Sequence, residues 1–122
     1  MKTFPRMKFR NKYNARKMET ADGKFDSVAE WERWLLLKAM EKDGEIKGLE
    51  RQVPYVLIPS QKKDGKVLFR EVKYIADFKY TVAKTGEVVV EDVKGMVLPE
   101  FKLKQKMMFY FYHIEVKIVK GR

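Results

Sequence analysis

The chain has 122 residues and a formal net charge of +10, and 45% of its residues are hydrophobic. This length predicts one domain, and the hydrophobic fraction excludes a disordered chain. No apolar run approaches the roughly 18 residues of a membrane-spanning helix, and no apolar signal-peptide core follows the basic N-terminus. Cysteine is absent, which excludes a disulfide framework or a thiolate metal site and is compatible with the cytoplasm.

The basic charge lies at the two ends of the chain. Residues 1–20 contain seven Lys or Arg and one Glu, residues 100–122 contain six and two, and residues 21–99 contain fourteen of each sign. This distribution favours a polyanionic partner, for which nucleic acid is the best candidate. The alternative is that the charge serves only solubility.

Residues 1–20 are predicted to form a basic N-terminal arm ahead of a single domain at residues 21–122. Phe4, Phe9 and Tyr13 are interleaved with the basic residues of the arm. Such a segment can neutralise phosphates and stack on bases, or its rings can simply dock on the domain. The candidate phosphate contacts are Arg10, Lys12, Arg16 and Lys17.

Hydrophobic periodicity and turn residues predict the order helix, strand, strand, strand, helix, strand. The predicted helices are Asp26–Asp43 and Glu100–Tyr112, and the predicted strands are Leu49–Ile58, Val67–Tyr80, a run beginning at Val88, and Ile114–Val119. This order predicts an α/β (α+β) fold.

The second predicted helix carries apolar residues and lysines at helical spacing. Its predicted buried stripe is Leu103, Met107, Tyr110 and Phe111. Lys102 and Lys106 share another face, with Lys104 further round. These lysines are candidates to hold a phosphate backbone, and the alternative is a solvated face.

The segment Lys73–Gly95 is predicted to form a hairpin that turns at Lys84–Thr85. In this register the numbers of paired residues sum to 169, which places Asp77 opposite Asp92. Lys94 is two residues beyond Asp92 and therefore shares its face. Two carboxylates that face each other on neighbouring strands repel, so the arrangement calls for a compensating charge.

A divalent cation between the two carboxylates would remove the repulsion. Hard oxygen ligands suit Mg²⁺, which keeps several waters and takes substrate phosphate in its remaining positions. A neighbouring lysine can orient or deprotonate an attacking water, or stabilise charge on the phosphate. The hairpin therefore predicts metal-assisted phosphate chemistry at Asp77, Asp92 and Lys94.

The combined motifs resemble the PD-(D/E)XK nuclease superfamily. Five motifs carry the resemblance: FDS-x-x-E-x-E-R at the start of the first helix, Gln52-Val53-Pro54 on the next strand, ADF around Asp77, VEDVKG around Asp92, and F-K-x-K on the second helix. Ala76 stands where the superfamily often has proline. The αβββαβ order is the common core of that superfamily. The pattern is similar to small phage- and prophage-encoded members that have been compared with Holliday-junction resolvases.

The resemblance implies a restriction-endonuclease-like core, with a mixed central sheet flanked by helices. It implies a Mg²⁺-dependent DNA endonuclease, with Mn²⁺ as a substitute, that acts as a homodimer on branched DNA. The implied metal ligands are Asp77, Asp92, the Val93 carbonyl and Glu30. Lys94 would act on the attacking water. The alternatives are a non-catalytic nucleic-acid-binding protein and a nuclease of the same superfamily that acts in repair, nicking or transposon-end cleavage.

Glu30 and Gln52 each have two interpretations. Ser27-x-x-Glu30 matches a capping box, in which the glutamate reaches back to the cap amide. Because members of the superfamily often carry a glutamate here, we favour a role in the metal site, with Glu32 as the substitute candidate. Gln52 is either a phosphate or water contact in the site or a polar residue on a solvent face.

Overall fold

Residues 17–121 are described by a computed structural model. The helices are α1 Val28–Lys42 and α2 Pro99–Tyr112. The strands are β1 Met18–Thr20, β2 Gly23–Phe25, β3 Ile46–Ile58, β4 Gln61–Lys63, β5 Lys66–Phe69, β6 Val72–Val82, β7 Val88–Lys94 and β8 Lys117–Lys120. Neither helix of this part of the chain has the length and hydropathy needed to cross a membrane.

Four strands form a central mixed sheet in the order β3-β6-β7-β8. β6 pairs antiparallel with both β3 and β7, whereas β7 and β8 are parallel. A parallel pair needs a crossover connection, and α2 supplies it. The predicted order αβββαβ corresponds to α1, β3, β6, β7, α2 and β8, so the predicted α/β (α+β) fold with a mixed central sheet is confirmed.

Hydrophobic clusters cover both faces of the central sheet. Leu37 of α1 belongs to one cluster with Phe78 of β6, and Met108 of α2 belongs to the other. The adjacent residues Val89 and Val90 of β7 pack in different clusters. Because neighbouring residues of a strand point to opposite faces, the two helices pack on opposite sides of the sheet.

The hairpin of β6 and β7 has the predicted register. Phe78 pairs with Glu91 and Thr81 with Val88, which are positions that sum to 169. The turn closes through a hydrogen bond from the Gly86 N–H to the Val82 carbonyl at 2.8 Å. Gly86 has φ 78, a left-handed conformation that glycine adopts without strain. The described pairing ends at Phe78 and Glu91, so Asp77 and Asp92 occupy the next position of the same register.

β3 and β6 change face at one row of the sheet. Phe78 packs in the α1 cluster, whereas Ala76 packs in the α2 cluster. A regular strand would place both on the same face, because their numbers differ by two. Gln52 lies opposite Asp77 in the β3–β6 register, and its backbone is left-handed, with φ 56. The change of face therefore falls at Asp77. As a result, one part of the β3–β6 pair packs against α1 and the other part packs against α2.

The apolar stripe predicted for α2 is wrong. The helix buries Phe101 and Met108 instead, and Phe101 lies against Tyr74 of β6 with ring centroids 6.1 Å apart. Leu103 is 58% exposed, Tyr110 76% and Phe111 49%, and Met107 is half-buried. Apolar residues surround this helix on all sides, so their spacing alone did not identify the face that packs on the sheet.

The segment Val67–Tyr80 forms two strands instead of the one that was predicted. β5 ends at Phe69 and β6 begins at Val72, and in the described part of the chain β5 pairs with β4 alone, as a separate two-stranded sheet. The last strand begins at Lys117 instead of Ile114. At the other end, β1 and β2 form an additional hairpin, so the final residues of the predicted arm, Met18–Thr20, are paired with Gly23–Phe25.

A buried ion pair ties α1 to β7 on the α1 side of the sheet. Glu91 is fully buried and accepts hydrogen bonds from Arg33 Nε at 2.6 Å and Nη2 at 2.9 Å. The Tyr80 hydroxyl also donates to Glu91, at 2.6 Å. Three charge-assisted hydrogen bonds therefore satisfy a carboxylate that burial alone would make very costly.

We predict that Glu91→Ala lowers the free energy of unfolding by about 3–5 kcal/mol, because Arg33 is left as an uncompensated, largely buried charge. Urea denaturation in EDTA would measure the loss. Glu87→Ala removes an exposed glutamate from the same hairpin and is expected to change stability by no more than about 0.5 kcal/mol. Equal losses in the two variants would contradict the role given to Glu91.

Candidate active site

Three carboxylates from three elements meet near the row where β3 and β6 change face. Asp77 lies on β6, Asp92 on β7, and Glu30 in the first turn of α1. Glu30 is 3% exposed and Asp92 is 2% exposed. Asp77 and Asp92 are one position beyond the last pair of the hairpin, as the register predicted. Acids brought together this deeply need either protons or a cation.

The Asp77 carboxylate takes the place of a main-chain acceptor. The Val93 N–H donates to Asp77 Oδ2 at 2.8 Å, directly beyond the last main-chain pair of Phe78 and Glu91. From this point β7 continues beside β8, where Glu91–Lys94 pair with Lys117–Lys120. On the edge of β7 that faces β6, the bond therefore comes from a side chain instead of a strand. β6 and β7 separate there, and the carboxylates lie at the opening.

Burial and neighbouring negative charge raise the pKa of Asp77 and of Glu30. Burial, then contact with Asp92 and its charge, then the charge of Glu30 raise the pKa of Asp77 to about 9. Burial and the charge of Asp26, with a smaller contribution from Asp92, raise the pKa of Glu30. A bound cation would have the opposite effect, because it stabilises the ionised carboxylates.

Lys94 lies beside this cluster, as the spacing predicted. Its Nζ is 3.4 Å from Asp92 Oδ2, and its side chain is 32% exposed. The ammonium also stands 4.7 Å from the centre of the Phe101 ring of α2. These two contacts hold the charge next to the carboxylates while leaving part of it open to solvent.

Ser27 caps α1 as predicted, whereas the Glu30 carboxylate reaches one residue further back than a capping box requires. The Glu30 N–H donates to Ser27 Oγ at 3.0 Å, and Glu30 Oε1 accepts the Asp26 N–H at 3.2 Å. Its Oε2 accepts a hydrogen bond from Gln52 Nε2 at 3.1 Å and lies 3.9 Å from Arg51 Nη2. The Ser27 half of the capping box is therefore confirmed, while the Glu30 carboxylate holds the amide of Asp26, ahead of the cap, and is also part of the acidic cluster. Its role as a metal ligand stays a prediction, as does that of Glu32, which is exposed on α1.

The sequence did not point to Tyr74 as a site residue. Its side chain is 4% exposed, and its buried hydroxyl has no hydrogen-bond partner among residues 17–121. Burial and the charge of Asp92, with which it is in contact, raise its pKa far above the usual value. Regular alternation would turn Tyr74 away from Asp77, three residues later, and only the face change reveals that it lies near the acids.

The residues predicted to contact phosphate lie in different environments. Gln52 is exposed and directs its amide to Glu30. Lys102 and Lys106 are exposed on α2, whereas Lys104 is half-buried and forms an ion pair with Glu100 at 3.2 Å. Lys17 is exposed ahead of β1. Arg10, Lys12 and Arg16 lie outside the described residues.

Residues 10–121 match a family described as a protein of unknown function, DUF1064. The chain belongs to this family. Comparisons with curated proteins and with solved structures gave no match. The family description gives no activity, so a functional proposal has to come from the chemistry of the site.

The residues present fit a magnesium ion. Among residues 17–121, no three Asp, Glu, His or Cys side chains form a ready-made metal cage. Mg²⁺ does not require one, since one or two carboxylates, several waters and substrate phosphate are its usual ligands. Asp77 and Asp92 supply that donor set, and the unpartnered Tyr74 hydroxyl is suited to a water held beside Asp92.

We predict that Asp77→Asn stabilises the protein in EDTA. The folded-state pKa of Asp77 is raised, so its contribution to stability is present below about pH 4 and is lost as the pH rises towards about 9. Asparagine has no such loss and can still accept the Val93 N–H. The gain in unfolding free energy should therefore grow with pH, by at most about 1.4 kcal/mol per unit.

Urea denaturation from pH 5 to pH 9 would measure this gain. Asp43→Asn, at an exposed carboxyl after α1, is the matched control and should show no such trend. Adding Mg²⁺ should raise the melting temperature of the parent and of Asp43→Asn but not that of Asp77→Asn. A pH-independent difference between Asp77→Asn and the parent would contradict the predicted coupling.

Proposed function

We propose that this protein is a Mg²⁺-dependent endonuclease that hydrolyses phosphodiester bonds in DNA, with a preference for branched DNA such as a Holliday junction. The observation that supports it most is the pair of the half-buried Asp77 and the buried Asp92, one position beyond the hairpin's last pair, with Lys94 beside Asp92. The resemblance to the PD-(D/E)XK superfamily and the αβββαβ core with its mixed sheet support the same proposal.

Each acid has a role in this proposal. Asp77 and Asp92 would hold Mg²⁺, or Mn²⁺ in its place, with the Val93 carbonyl as a further ligand. Glu30 would complete the set of metal ligands, either directly or through a water. Both of its oxygens already accept hydrogen bonds, which is why a water-mediated contact is included. When bound, the metal supplies charge stabilisation and a more acidic water.

Lys94 would position the attacking water and neutralise charge on the phosphate. The water oxygen forms a bond to phosphorus, and the bond from phosphorus to the 3′ oxygen breaks in line with it. The 3′ oxygen takes up a proton, so the products carry a 3′-hydroxyl and a 5′-phosphate. The exposed part of the Lys94 side chain gives it access to a substrate phosphate.

Contacts to the DNA backbone would come from lysines beside the site. Lys102 and Lys106 are exposed on α2, the helix that also supplies Phe101 under Lys94. Lys17, with Arg10, Lys12 and Arg16 of the arm, would add further phosphate contacts. Lysines of this kind neutralise phosphates without reading base sequence, which suits selection by shape.

Two other functions remain open to test. A non-catalytic nucleic-acid-binding protein is favoured by the net charge of +10 but leaves the half-buried Asp77 and the buried Asp92 without a role. A nuclease of the same superfamily that acts in repair, nicking or transposon-end cleavage would have the same site. Only its substrate would differ.

We predict that the protein cleaves a labelled four-way junction in Mg²⁺ and leaves matched linear duplex and single strand intact. Asp77→Ala should abolish cleavage, and Lys94→Ala should slow it roughly 10²- to 10³-fold because a positioned charge at the phosphate is lost. Lys47→Ala, at an exposed lysine near the start of β3, is the control and should cleave like the parent. EDTA should stop cleavage in every case.

The outcomes separate the candidate functions. Symmetric nicking of the junction alone, lost in Asp77→Ala, supports the proposal. Cleavage of all three DNAs keeps the nuclease and removes the preference for branches. Tight binding without cleavage in Mg²⁺ or Mn²⁺ would favour the binding protein.

We also propose that the enzyme acts as a homodimer, because a junction has two strands to cut. α2 presents Leu103 and Tyr110 to solvent on one side, with exposures of 58% and 76%. Exposed apolar side chains that are grouped on a helix surface commonly mark an interface. The homodimer would bury Leu103 and Tyr110 against its copy and leave Lys102 and Lys106 at the rim, where DNA can reach them.

We predict that Tyr110→Glu converts a dimer into a monomer, because the carboxylate would have to be buried in the interface. Light scattering after gel filtration would give the mass. Leu36→Glu, at a 51% exposed position of α1, is the control and should leave the mass unchanged. A parent protein that elutes as a monomer at micromolar concentration would count against the homodimer.

A further inference from the structure

The β4–β5 hairpin projects from the domain as a separate ribbon. Every residue from 59 to 71 is exposed, and within residues 17–121 β4 and β5 pair with each other alone, as a two-stranded sheet. The turn is Asp64-Gly65, with φ 53 and 79, the left-handed pair that a two-residue hairpin turn requires. A two-stranded ribbon without a buried residue contributes little to the stability of the fold, so its composition is informative.

The ribbon carries both positive charge and apolar side chains. Residues 61–70 contain Lys62, Lys63, Lys66 and Arg70 against one acid, Asp64, which gives net +3. Val67 is 54% exposed, Leu68 56% and Phe69 59%. Leu68 is the extra residue of a bulge, because Lys62 pairs with Val67 and Gln61 with Phe69. Three consecutive exposed apolar side chains flanked by basic residues indicate a binding surface.

The ribbon continues the two strands that carry the site. β3 leads from Gln52 to Ile58 and into β4, and β5 leads back into β6 and Asp77. Six residues of strand separate Gln52 from Ile58, which is roughly 20 Å, and the turn lies about 20 Å further on. A DNA arm lying along the ribbon would therefore contact it roughly 6–12 base pairs from the site, since each pair rises about 3.4 Å.

We propose that the β4–β5 hairpin is a DNA-binding ribbon that enters the major groove of a duplex arm. This inference rests on the proposed function, because it takes the acidic cluster as the place where DNA is cut. A two-stranded ribbon fits the major groove. Lys62, Lys63 and Lys66 bind the phosphates of the groove walls, and Phe69 packs against sugars and thymine methyl groups.

Charge and position distinguish DNA from other occupants of the ribbon. A second copy of this chain would bring another ribbon of net +3, and the like charges would repel. An anionic membrane would match the charge, but would not explain why the ribbon extends the strands of Gln52 and Asp77. A polyanion that spans both the acidic cluster and the ribbon satisfies both observations.

The test measures DNA binding in EDTA, so that it does not depend on cleavage. The variant is Lys62→Gln/Lys63→Gln/Lys66→Gln. The control is Lys42→Gln/Lys47→Gln/Lys84→Gln, which removes the same charge from exposed lysines at the opposite end of β3 and β6. Fluorescence anisotropy would compare four-way junctions whose arms are about 20 or about 5 base pairs long, since only the long arms reach the ribbon.

The parent and the control should lose about tenfold or more in affinity when the arms are shortened, and the ribbon variant should not. The slope of log affinity against log salt on long arms should fall by roughly 2–3 in the ribbon variant only. Dimethyl sulfate should show guanine N7 protected by the parent in the outer part of each arm, and exposed in the ribbon variant. Phe69→Ser should weaken long-arm binding fivefold or more, and Phe69→Trp should restore it.

Equal arm-length dependence in the ribbon variant and the control would overturn the ribbon proposal. So would ribbon-dependent binding to phosphatidylserine–phosphatidylcholine vesicles with unchanged DNA affinity. The two proposals fail separately. Cleavage in Mg²⁺ that the ribbon variant retains in full on long arms removes the ribbon and keeps the nuclease. Ribbon-dependent DNA binding without any cleavage removes the nuclease and keeps the ribbon.

Discussion

The hydrogen bond from the Val93 N–H to the Asp77 carboxylate determines how the central sheet is used. The Val93 N–H lies on the edge of β7 that would otherwise continue pairing with β6, and it bonds to the Asp77 side chain instead. The two strands can therefore separate there without leaving this amide unpaired. The face change of β3 and β6 falls at the same row, marked by the left-handed Gln52. The acidic cluster, the start of α1 and Lys94 therefore lie together at one irregular row of the sheet. Regular strand pairing next to this row holds it in place.

This irregularity explains which parts of the molecule the sequence could predict. The register of the hairpin follows from a short glycine-containing turn and local alternation, so the positions of Asp77 and Asp92 were predictable. The αβββαβ order follows from periodicity. Tyr74 was not predictable, because strict alternation turns it away from the acids, and the face change depends on packing against two helices at once. The buried stripe of α2 was missed because apolar residues surround that helix.

The β4–β5 hairpin also shows what the sequence could not predict. Val67–Phe69 has the composition of a core strand, and its spacing suggested one continuous strand into β6. In the structure it instead lies in a separate ribbon, where its side chains are exposed to solvent. Propensity reports whether residues favour an extended backbone, and it does not report what covers them. Apolar residues that are extended but uncovered are the feature from which a binding role can be argued.

Glu91 and Asp92 are neighbours on β7 and both are buried, but they differ in how their charge is compensated. This difference has an evolutionary consequence. Glu91 is matched by the positive charge of Arg33 and by Tyr80, whereas Asp77 and Asp92 lie close to each other and to Glu30, with the Val93 N–H on Asp77 and the half-buried Lys94 beside Asp92. Selection for stability alone would retain Glu91 and would tolerate, or favour, neutral residues in place of the other two. In a lineage that no longer needed the site, the aspartates should drift first and the glutamate last.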